Sequence, residues 1–474
     1  TGTDLPGWLT ESDNGDGTTT LSGTGAHADL TGDADGDNTY AMTCTTSDGA
    51  GDTASDTFVI TLTEINDAPT LSSDGDGGTT NAGSVDEGSA LDMALTAADE
   101  ESDDVTFAEG TTCPDWITVN DVGAGNQGGS LTADAADITD ARVGDHDCDI
   151  TMSDGTTTTL VTYTLTINQM NDEPTFSATG DDPTFNEDAA SAGLFSSTSV
   201  ADGDAVPTQT FATLTFTVTN VQDDDESIYM DGGWITLEAM GSATTTTTNS
   251  YTYQITGCAN TCTVALTGMT ATAAQINSLI DGLLYRNTDD SPTDADRVFD
   301  LTELTDSGST GAGHDNSVDP ATTSTVDVEL TNDAPDASSA SGTLAAINED
   351  ATDPAGDAVS DILSGVTDAD AGSSVNGIVI CSYTEDTDKG GWDYSADSGT
   401  TWTDLSSQSD NSACVAVEDD DYIRFVPTAN YNGAATALAV HVVDNSQAIT
   451  TGTTYDASTN GGTSAYSSDT ISIS

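Results

Sequence analysis

The sequence predicts an all-β protein of tandem β-sandwich domains in an elongated array. Its 474 residues are too many for one ordinary hydrophobic core. Hydrophobic residues make up 35% and aromatic residues 5%, enough for thin sandwich cores because a strand with one solvated face buries every second residue. Strand-like segments rich in Thr, Val, Ile and Tyr lie between turn-forming clusters of Gly, Asp, Asn and Ser, at 57–65, 160–168, 324–332 and 469–474.

One short junction occurs three times, each time after a strand-like segment. It reads EINDAPTL at 64–71, QMNDEPTF at 169–176 and LTNDAPDA at 330–337. We name Asn66–Asp67 the first linker, Asn171–Asp172 the second linker and Asn332–Asp333 the third linker. They predict four domains of unequal length: a partial β-sandwich at 1–66, β-sandwiches at 67–171 and 172–332, and a β-sandwich repeat at 333–474. The larger domain at 172–332 contains one predicted short helix, because apolar residues of 272–284 recur at three- and four-residue spacing.

The charge of the chain is extreme. Five basic residues face 82 acidic ones, for a net charge of −77. Such a surface repels nucleic acid and anionic lipid, so we expect neither as a partner. It calls for divalent cations, high salt or both, as in a marine or halophilic setting. Solvation in a salty habitat explains many of the acids equally well, but it does not explain the repeated linkers.

Six of the seven cysteines fall in pairs within the predicted domains: Cys113 with Cys148, Cys258 with Cys262, and Cys381 with Cys414. No Cys/His spacing typical of a metal site is present, so we expect three disulfides and an oxidising, extracellular location. Cys44 is left over and is either free or bonded outside this chain. We find no signal peptide and no apolar run long enough to span a bilayer, so we expect no membrane insertion by this segment.

Acidic motifs recur in the same order around the linkers. VDEGSA (85–90), FNEDAA (185–190) and INEDAT (347–352) come early in three units. DEESDD (99–104), QDDDES (222–227) and TDADAG (367–372) follow a strand later, and an Asp lies near each unit's end.

This order resembles the cadherin-like repeats, in which such acids gather at a domain junction and hold calcium. The resemblance implies calcium ligands at the linkers, near first strands, in Asp-x-Asp-type pairs and late in each unit. The linker residues are Glu64, Asn66, Asp67, Asn171, Asp172, Asn332 and Asp333, and the first-strand acids are Glu87, Glu187 and Glu349. The pairs are Asp99 with Glu101, Asp223 with Asp225 and Asp368 with Asp370, and the late residues are Asp154, Asp306 and Asp444.

The match departs from animal cadherins in two ways. The leading acid of the linker is Glu64 once but Gln169 and Leu330 elsewhere, and the mid-domain acidic motif is not recognisable. These departures predict that each junction binds fewer calcium ions, or binds them more weakly. Residues 5–62 resemble a cadherin-like or Ig-like repeat of prokaryotic surface proteins, and 347–474 resemble a repeat of giant prokaryotic adhesins.

The domain at 1–66 lacks that repeat's first strands. Two explanations stay open: both ends are cut from a longer array, or a neighbouring subunit supplies the missing strand.

Calcium also suits the residues themselves, because it takes six to eight hard oxygens from carboxylates, amides and backbone carbonyls at flexible geometry. Acids that cap turns and solvate the surface are the alternative. The five tryptophans (Trp8, Trp116, Trp234, Trp392 and Trp402) are spread singly and suit thin cores better than sugar-binding platforms. No catalytic motif appears, and with 82 acids paired carboxylates carry no information, so we expect no enzyme.

These observations predict a structural segment of an extracellular prokaryotic surface filament, sheath or S-layer-like polymer, rigidified by calcium and joined to copies of itself. One alternative is the stalk of a giant cell-surface adhesin, whose partners would be surface glycans or other surface proteins. A polysaccharide-binding module is the second alternative and would need a cleft lined by two or more tryptophans.

Overall fold

A computed structural model describes residues 5–30, 38–73, 81–123, 125, 127–204, 209–308 and 316–474. The chain forms two compact units. One holds the described residues up to Asn171 together with Asp204, and the other holds the remaining described residues from Asp172 onward. Within the described residues, no helix is both long enough and apolar enough to cross a lipid bilayer.

Residues 5–66 form two separate antiparallel strand pairs, β1 with β2 and β3 with β4. The elements are β1 Leu9–Asp13, β2 Thr19–Gly23, α1 His27–Leu30, β3 Thr39–Ser47 and β4 Thr53–Thr61. Strand β4 has little cover, and the side chains of Phe58 and Val59 are 40% and 60% exposed. Cys44 on β3 is an exposed free thiol.

Residues 67–171 form a β-sandwich of two four-stranded sheets. The strands are β5 Thr70–Ser73, β6 Ala82–Asp86, β7 Leu91–Ala98, β8 Thr106–Glu109, β9 Thr118–Asp121, β10 Gly128–Ala133, β11 Gly144–Ser153 and β12 Thr158–Asn168. Short 3-10 turns lie at Ala135–Asp137 and Asp140–Arg142. The sheet orders are β5-β7-β10-β9 and β6-β12-β11-β8, and their inner faces bury Leu95, Leu131 and Tyr163. The disulfide Cys113–Cys148 is present as predicted.

Residues 172–332 form a larger β-sandwich. Its strands are β13 Thr175–Gly180, β14 Thr184–Asn186, β15 Ala192–Gly193, β16 Phe195–Ala201, β17 Phe211–Thr219, β18 Glu226–Met230, β19 Gly233–Thr236, β20 Thr244–Thr245, β21 Thr252–Thr256, β22 Thr261–Thr267, β23 Leu284–Asn287, β24 Arg297–Asp306, β25 Ser317–Val318 and β26 Thr322–Glu329. The large sheet has the order β14-β26-β24-β17-β22-β21-β20, with β25 paired to β24, and faces the sheet β15-β23-β18-β19; β13 pairs with β16 separately.

The predicted helix in this region is confirmed as α2, Ala273–Asp281. Thr272 and Gln275 form a reciprocal capping box at its start, which satisfies two otherwise free backbone N–H groups. Its apolar face buries Ile276 and Ile280. The disulfide Cys258–Cys262 closes the tip of the hairpin between β21 and β22.

Residues 333–474 form a further two-sheet sandwich. Its elements are β27 Ser341–Gly342, β28 Asp357–Ala358, α3 Val359–Ile362, β29 Leu363–Ser364, β30 Val375–Ser382, β31 Gly390–Ser395, β32 Thr403–Asp404, β33 Cys414–Glu418, β34 Tyr422–Pro427, β35 Leu438–Asp444, β36 Thr454–Tyr455 and β37 Ile471–Ile473. The sheet orders are β29-β27-β37-β35-β30-β33-β36 and β28-β34-β31-β32. Trp392 lies in the core at 1% exposure, and the third predicted disulfide, Cys381–Cys414, is present. The predicted all-β fold of tandem sandwiches is therefore confirmed.

Candidate metal centre

The first linker is held by side chains from two separate stretches of the chain. The amide of Asn66 donates hydrogen bonds to Asp154 Oδ2 at 2.8 Å and to Thr157 Oγ1 at 3.1 Å. The backbone N–H of Asp67 donates to Glu101 Oε2 at 3.2 Å. Asp99 in turn accepts from the N–H of Glu101 at 3.1 Å. The structure thus brings together five of the predicted site residues.

The third linker repeats these bonds. The amide of Asn332 donates to Asp444 Oδ2 at 3.2 Å, and the N–H of Asp333 donates to Asp370 Oδ2 at 2.8 Å. Asp368 accepts from the N–H of Asp370 at 3.0 Å. Two stretches with little other sequence in common therefore build the same local network.

Strand pairing explains why these residues meet. In residues 67–171, β5 runs antiparallel beside β7, so Asp67 just before β5 lies near the acids just after β7. Asp154 follows the end of β11, and Asp444 is the last residue of β35, the topologically equivalent strand. Acids far apart in sequence therefore share one end of the sandwich.

Parallel pairing brings the first-strand acid to the third linker. Strand β14 lies parallel to β26 with Asn186 opposite Glu329, so Glu187 emerges beside the residues that follow β26. The N–H of Glu187 donates to the carbonyl of Glu329 at 3.0 Å, and its Oε2 accepts from the N–H of Thr331 at 2.8 Å.

Glu187, Asp333 and Asp370 form a cluster in which one carboxylate oxygen from each residue lies within 4.8 Å of the others. Glu187 is 5% exposed, and its Oε1 is buried with no hydrogen-bond partner among the described residues. A buried anionic oxygen without a partner is costly unless a cation or donor satisfies it. No other group of three meets this spacing in the part of the chain that the structure describes.

The electrostatics of the cluster also favour a bound cation or proton, because two of its carboxyl groups have raised pKa values. Burial raises the pKa of Glu187 above its usual value. The hydrogen bond from the N–H of Thr331 lowers this pKa, and the negative charges of Asp333, Asp370 and Asp188 raise it further. Burial likewise raises the pKa of Asp333, followed by repulsion from Asp370, Asp188 and two further acids, Asp290 and Asp368. Carboxylates held this close favour either a proton or a cation.

Three nearby acids were not among the predicted ligands: Asp188, Asp290 and Asp336. They line an open cavity of about 440 Å³ together with Asp333 and Asp368. Asp290 comes from the loop between β23 and β24, and neighbouring Ser291 accepts a 2.8 Å hydrogen bond from the N–H of Ala371. This loop supplies a mid-domain acid that no sequence motif indicated. Asp188 was visible as the neighbour of Glu187 in FNEDAA.

A second cavity, of about 320 Å³, lies at the first linker. Its lining includes Glu64, Asp67, Glu100 and Glu101, with Gly25 and Leu30 from the preceding segment. Among the described residues, no first-strand acid stands here in the place that Glu187 takes at the third linker. The pKa of Asp154 is lowered here, first by the Asn66 amide and then by Thr157.

Neither Asp223 nor Asp225 belongs to the carboxylate cluster at the third linker or lines its cavity. Asp223 Oδ2 forms a 2.8 Å ion pair with Arg297, a fully buried residue that also binds Glu226. Asp225 is exposed. The position that corresponds to Asp99 and Glu101 directly after β7 is held after β16 by Asp202 and Asp204. The acidic run QDDDES at 222–227 therefore does not occupy the position predicted for it, which Asp202 and Asp204 hold instead.

The remaining predicted ligands are not gathered into a cluster in the described residues. Asn171 is buried and Asp172 is exposed. Glu87 donates its N–H to the carbonyl of Asn168 at 3.1 Å, as Glu187 does to Glu329. Asp306 is buried at the end of β24, and Glu349 is exposed.

The donor set at the third linker fits a hard divalent cation such as calcium. Every candidate ligand is an oxygen, three carboxylates converge, and one buried oxygen has no partner in the part of the chain that the structure describes. The residues that would hold the ion are Glu187, Asp333 and Asp370, surrounded by Asp188, Asp290 and Asp368.

No protein-family model matches the chain, and no curated protein matches it. Among solved structures, the chain is similar to mouse protocadherin-24 EC1-3 at 12% identity and TM-score 0.34, over 84% of this chain and 97% of that one. It is also similar to titin domains Z1Z2 in complex with telethonin, at 12% identity and TM-score 0.21, over 57% and 99%. An endo-fucoidan hydrolase of glycoside hydrolase family 107 matches at 16% identity and TM-score 0.20, over 70% of this chain and 38% of that one. Likenesses this low carry no argument about function.

Proposed function

We propose that this chain is a structural segment of an extracellular prokaryotic surface filament, sheath or S-layer-like polymer, stiffened by calcium at its linkers. The observation that carries the proposal is the third linker, where a buried oxygen of Glu187, beside Asp333 and Asp370, has no hydrogen-bond partner among the described residues. The role is mechanical and non-catalytic.

Calcium would act at the third linker by joining the two sandwiches that flank it. Glu187 belongs to the sandwich before the linker and Asp370 to the one after it, while Asp333 is part of the linker itself. Without a cation the three negatively charged carboxylates repel one another. A bound cation would attract all three and so hold the two sandwiches together. Extracellular modules bind calcium at about 10⁻⁴–10⁻³ M, a range that seawater or brine supplies.

The three disulfides support an extracellular, cell-surface location, because such bonds persist in oxidising surroundings. The net charge of −77 also suits a cation-rich medium. The partner in this proposal is a further copy of the chain.

The test is electron microscopy of the purified chain in millimolar calcium and then in chelator, with magnesium at equal ionic strength as the control. We expect ordered filaments or lattices that fray on chelation, together with a lower melting temperature. Isolated rods under every condition would contradict the polymer and favour an adhesin stalk. An unchanged melting temperature would contradict the calcium role.

The polysaccharide-binding alternative has less support from the tryptophans. Trp392 is buried in a core, and Trp116, Trp234 and Trp402 each pack against an arginine. Binding of the chain to immobilised acidic and neutral glycans would test it directly.

A further inference from the structure

The outer face of the sheet β15-β23-β18-β19 carries an aromatic and basic patch, which we name the Arg286 patch: Tyr229, Trp234 and Arg286. The register places Tyr229 opposite Trp234 and Ser227 opposite Arg286. Ile228 and Tyr285, which alternate with them along β18 and β23, are fully buried in the core. Since successive side chains of a strand point to opposite faces, the patch faces outward.

The guanidinium of Arg286 is held in place but makes no polar contact with a described residue. Its Cζ lies 4.1 Å from the centroid of the Trp234 ring, and the Trp234 and Tyr229 rings contact each other at 5.5 Å. The Nε of Arg286 is buried with no hydrogen-bond partner in the described part of the chain. Stacking fixes the plane of a guanidinium and leaves its in-plane N–H groups for a bidentate acceptor.

The other four basic residues are already neutralised. Each has a carboxylate oxygen within hydrogen-bonding or ion-pair distance: Arg142 with Asp137 at 3.3 Å, Arg297 with Asp223 at 2.8 Å, Lys389 with Asp386 at 3.4 Å and Arg424 with Asp393 at 2.9 Å. In a chain with 82 acids, Arg286 is the one base without a carboxylate partner among the described residues.

We propose that the Arg286 patch is a contact between copies of this chain, in which Arg286 binds an Asp or Glu carboxylate of a second copy. This inference rests on the proposed polymer. Tyr, Trp and Arg are the residue types that dominate binding energy at protein interfaces. Here all three lie on one face of a sheet whose edge strand β19 carries Trp234. Charge complementarity selects the partner, because each copy presents a surface crowded with carboxylates.

The first test compares assembly of the full-length Arg286→Gln variant with that of the wild type in calcium, by sedimentation velocity and electron microscopy. We expect the concentration needed for assembly to rise about tenfold or more, since about 1.4 kcal/mol corresponds to a factor of ten. Arg142→Gln is the matched control: Arg142 also stacks on a tryptophan, Trp116, but is already paired with Asp137. It should assemble like the wild type.

The second test identifies the partner and does not depend on loss of assembly. The variant Arg286→Lys keeps the positive charge and adds an amine to a chain whose one lysine is Lys389. A carbodiimide should couple the introduced amine to a nearby carboxylate. With isotopically mixed copies, mass spectrometry should find a cross-link between chains to an Asp or Glu.

The outcomes separate the two proposals. If the wild type assembles, and Arg286→Gln assembles equally well or the introduced amine couples only within its own chain, the polymer stands and this contact is wrong. If the wild type never assembles and no cross-link between chains forms, both fail. If oligogalacturonate binds the wild type but not Arg286→Gln while assembly is unchanged, the patch is an acidic-glycan site instead.

Discussion

The first and third linkers form the same hydrogen bonds, but they differ in how many buried carboxylates lie beside them. In both, an Asn amide binds a late Asp and the N–H of the next Asp binds an acid that follows a strand. At the third linker, Glu187 adds a buried carboxylate from the preceding sandwich, and the pKa values of Glu187 and Asp333 are raised. At the first linker the late Asp154 instead has a lowered pKa, because donors surround it.

The difference separates two features of a linker: the hydrogen bonds that position its backbone and the clustering of carboxylates beside it. The shared amide and N–H bonds position the linker backbone on the following domain. Among the described residues, three carboxylates lie within 4.8 Å of one another only at the third linker, where β14, parallel to the last strand of the preceding sandwich, delivers Glu187. The third linker is therefore the stronger calcium candidate.

The largest expected effect is on stability, and it comes from Asp223, which belongs to neither the first nor the third linker network. Replacing Asp223 with Ala removes one partner of buried Arg297 and should destabilise the chain by roughly 3 kcal/mol. It should leave calcium affinity unchanged. Asp225→Ala, at an exposed position, should change stability by less than about 0.5 kcal/mol. Urea unfolding and calcium titration of both variants measure this, and weakened calcium binding in Asp223→Ala would return Asp223 to the ligand set.

A smaller effect is expected when each linker loses its amide. Asn332→Ala leaves Asp444, at 1% exposure, without one of its donors, and should cost about 1–3 kcal/mol. Asn66→Ala affects the more accessible Asp154 and should cost about 1 kcal/mol. Thermal unfolding of the two variants in chelator compares them. Equal losses would show that burial does not distinguish the linkers.

The Glu187→Gln variant tests the cluster itself. Removing one carboxylate should weaken calcium binding about tenfold, about 1.4 kcal/mol, while the loss of repulsion stabilises the calcium-free chain slightly. Glu349→Gln is the matched control, because Glu349 occupies the equivalent early position of the last domain but is exposed. Calcium titration by calorimetry should separate them. Identical affinities in the two variants would remove Glu187 from the site.

The smallest effect is a pH dependence of the calcium-free chain. Glu187 and Asp333 have raised pKa values when folded, so the folded state favours their protonated forms. Their contribution to stability is therefore greatest below the unfolded values of about 4 and is lost as the pH rises through the folded pKa values. In chelator, the melting temperature should rise as the pH falls from about 7 to about 5, and it should rise less in Glu187→Gln. In calcium the contribution of this cluster should reverse, because protons compete with the ion.

Much of the first and third linker networks was predictable from sequence. The Asn-Asp pair, the acid after the second strand and the late Asp lie at recurring places, and the structure brings them together. Asp290 was not predictable, because its loop carries no repeated motif and becomes relevant only through the packing of Ser291 against Ala371. Asp223 was misassigned because QDDDES resembles the other acidic runs, whereas its partner Arg297 lies far along the chain.

The β architecture, a short helix within 272–284, the three disulfides and the acidic character of the surface could all be predicted from the amino-acid sequence. These follow from local composition and spacing. Three features became visible only in the folded chain: which acids face a shared cavity, which one pairs with a buried arginine, and which arginine has no carboxylate partner among the described residues. The physical reason is that a carboxylate's role depends on its burial and its neighbours, and strand register sets both across long separations in sequence.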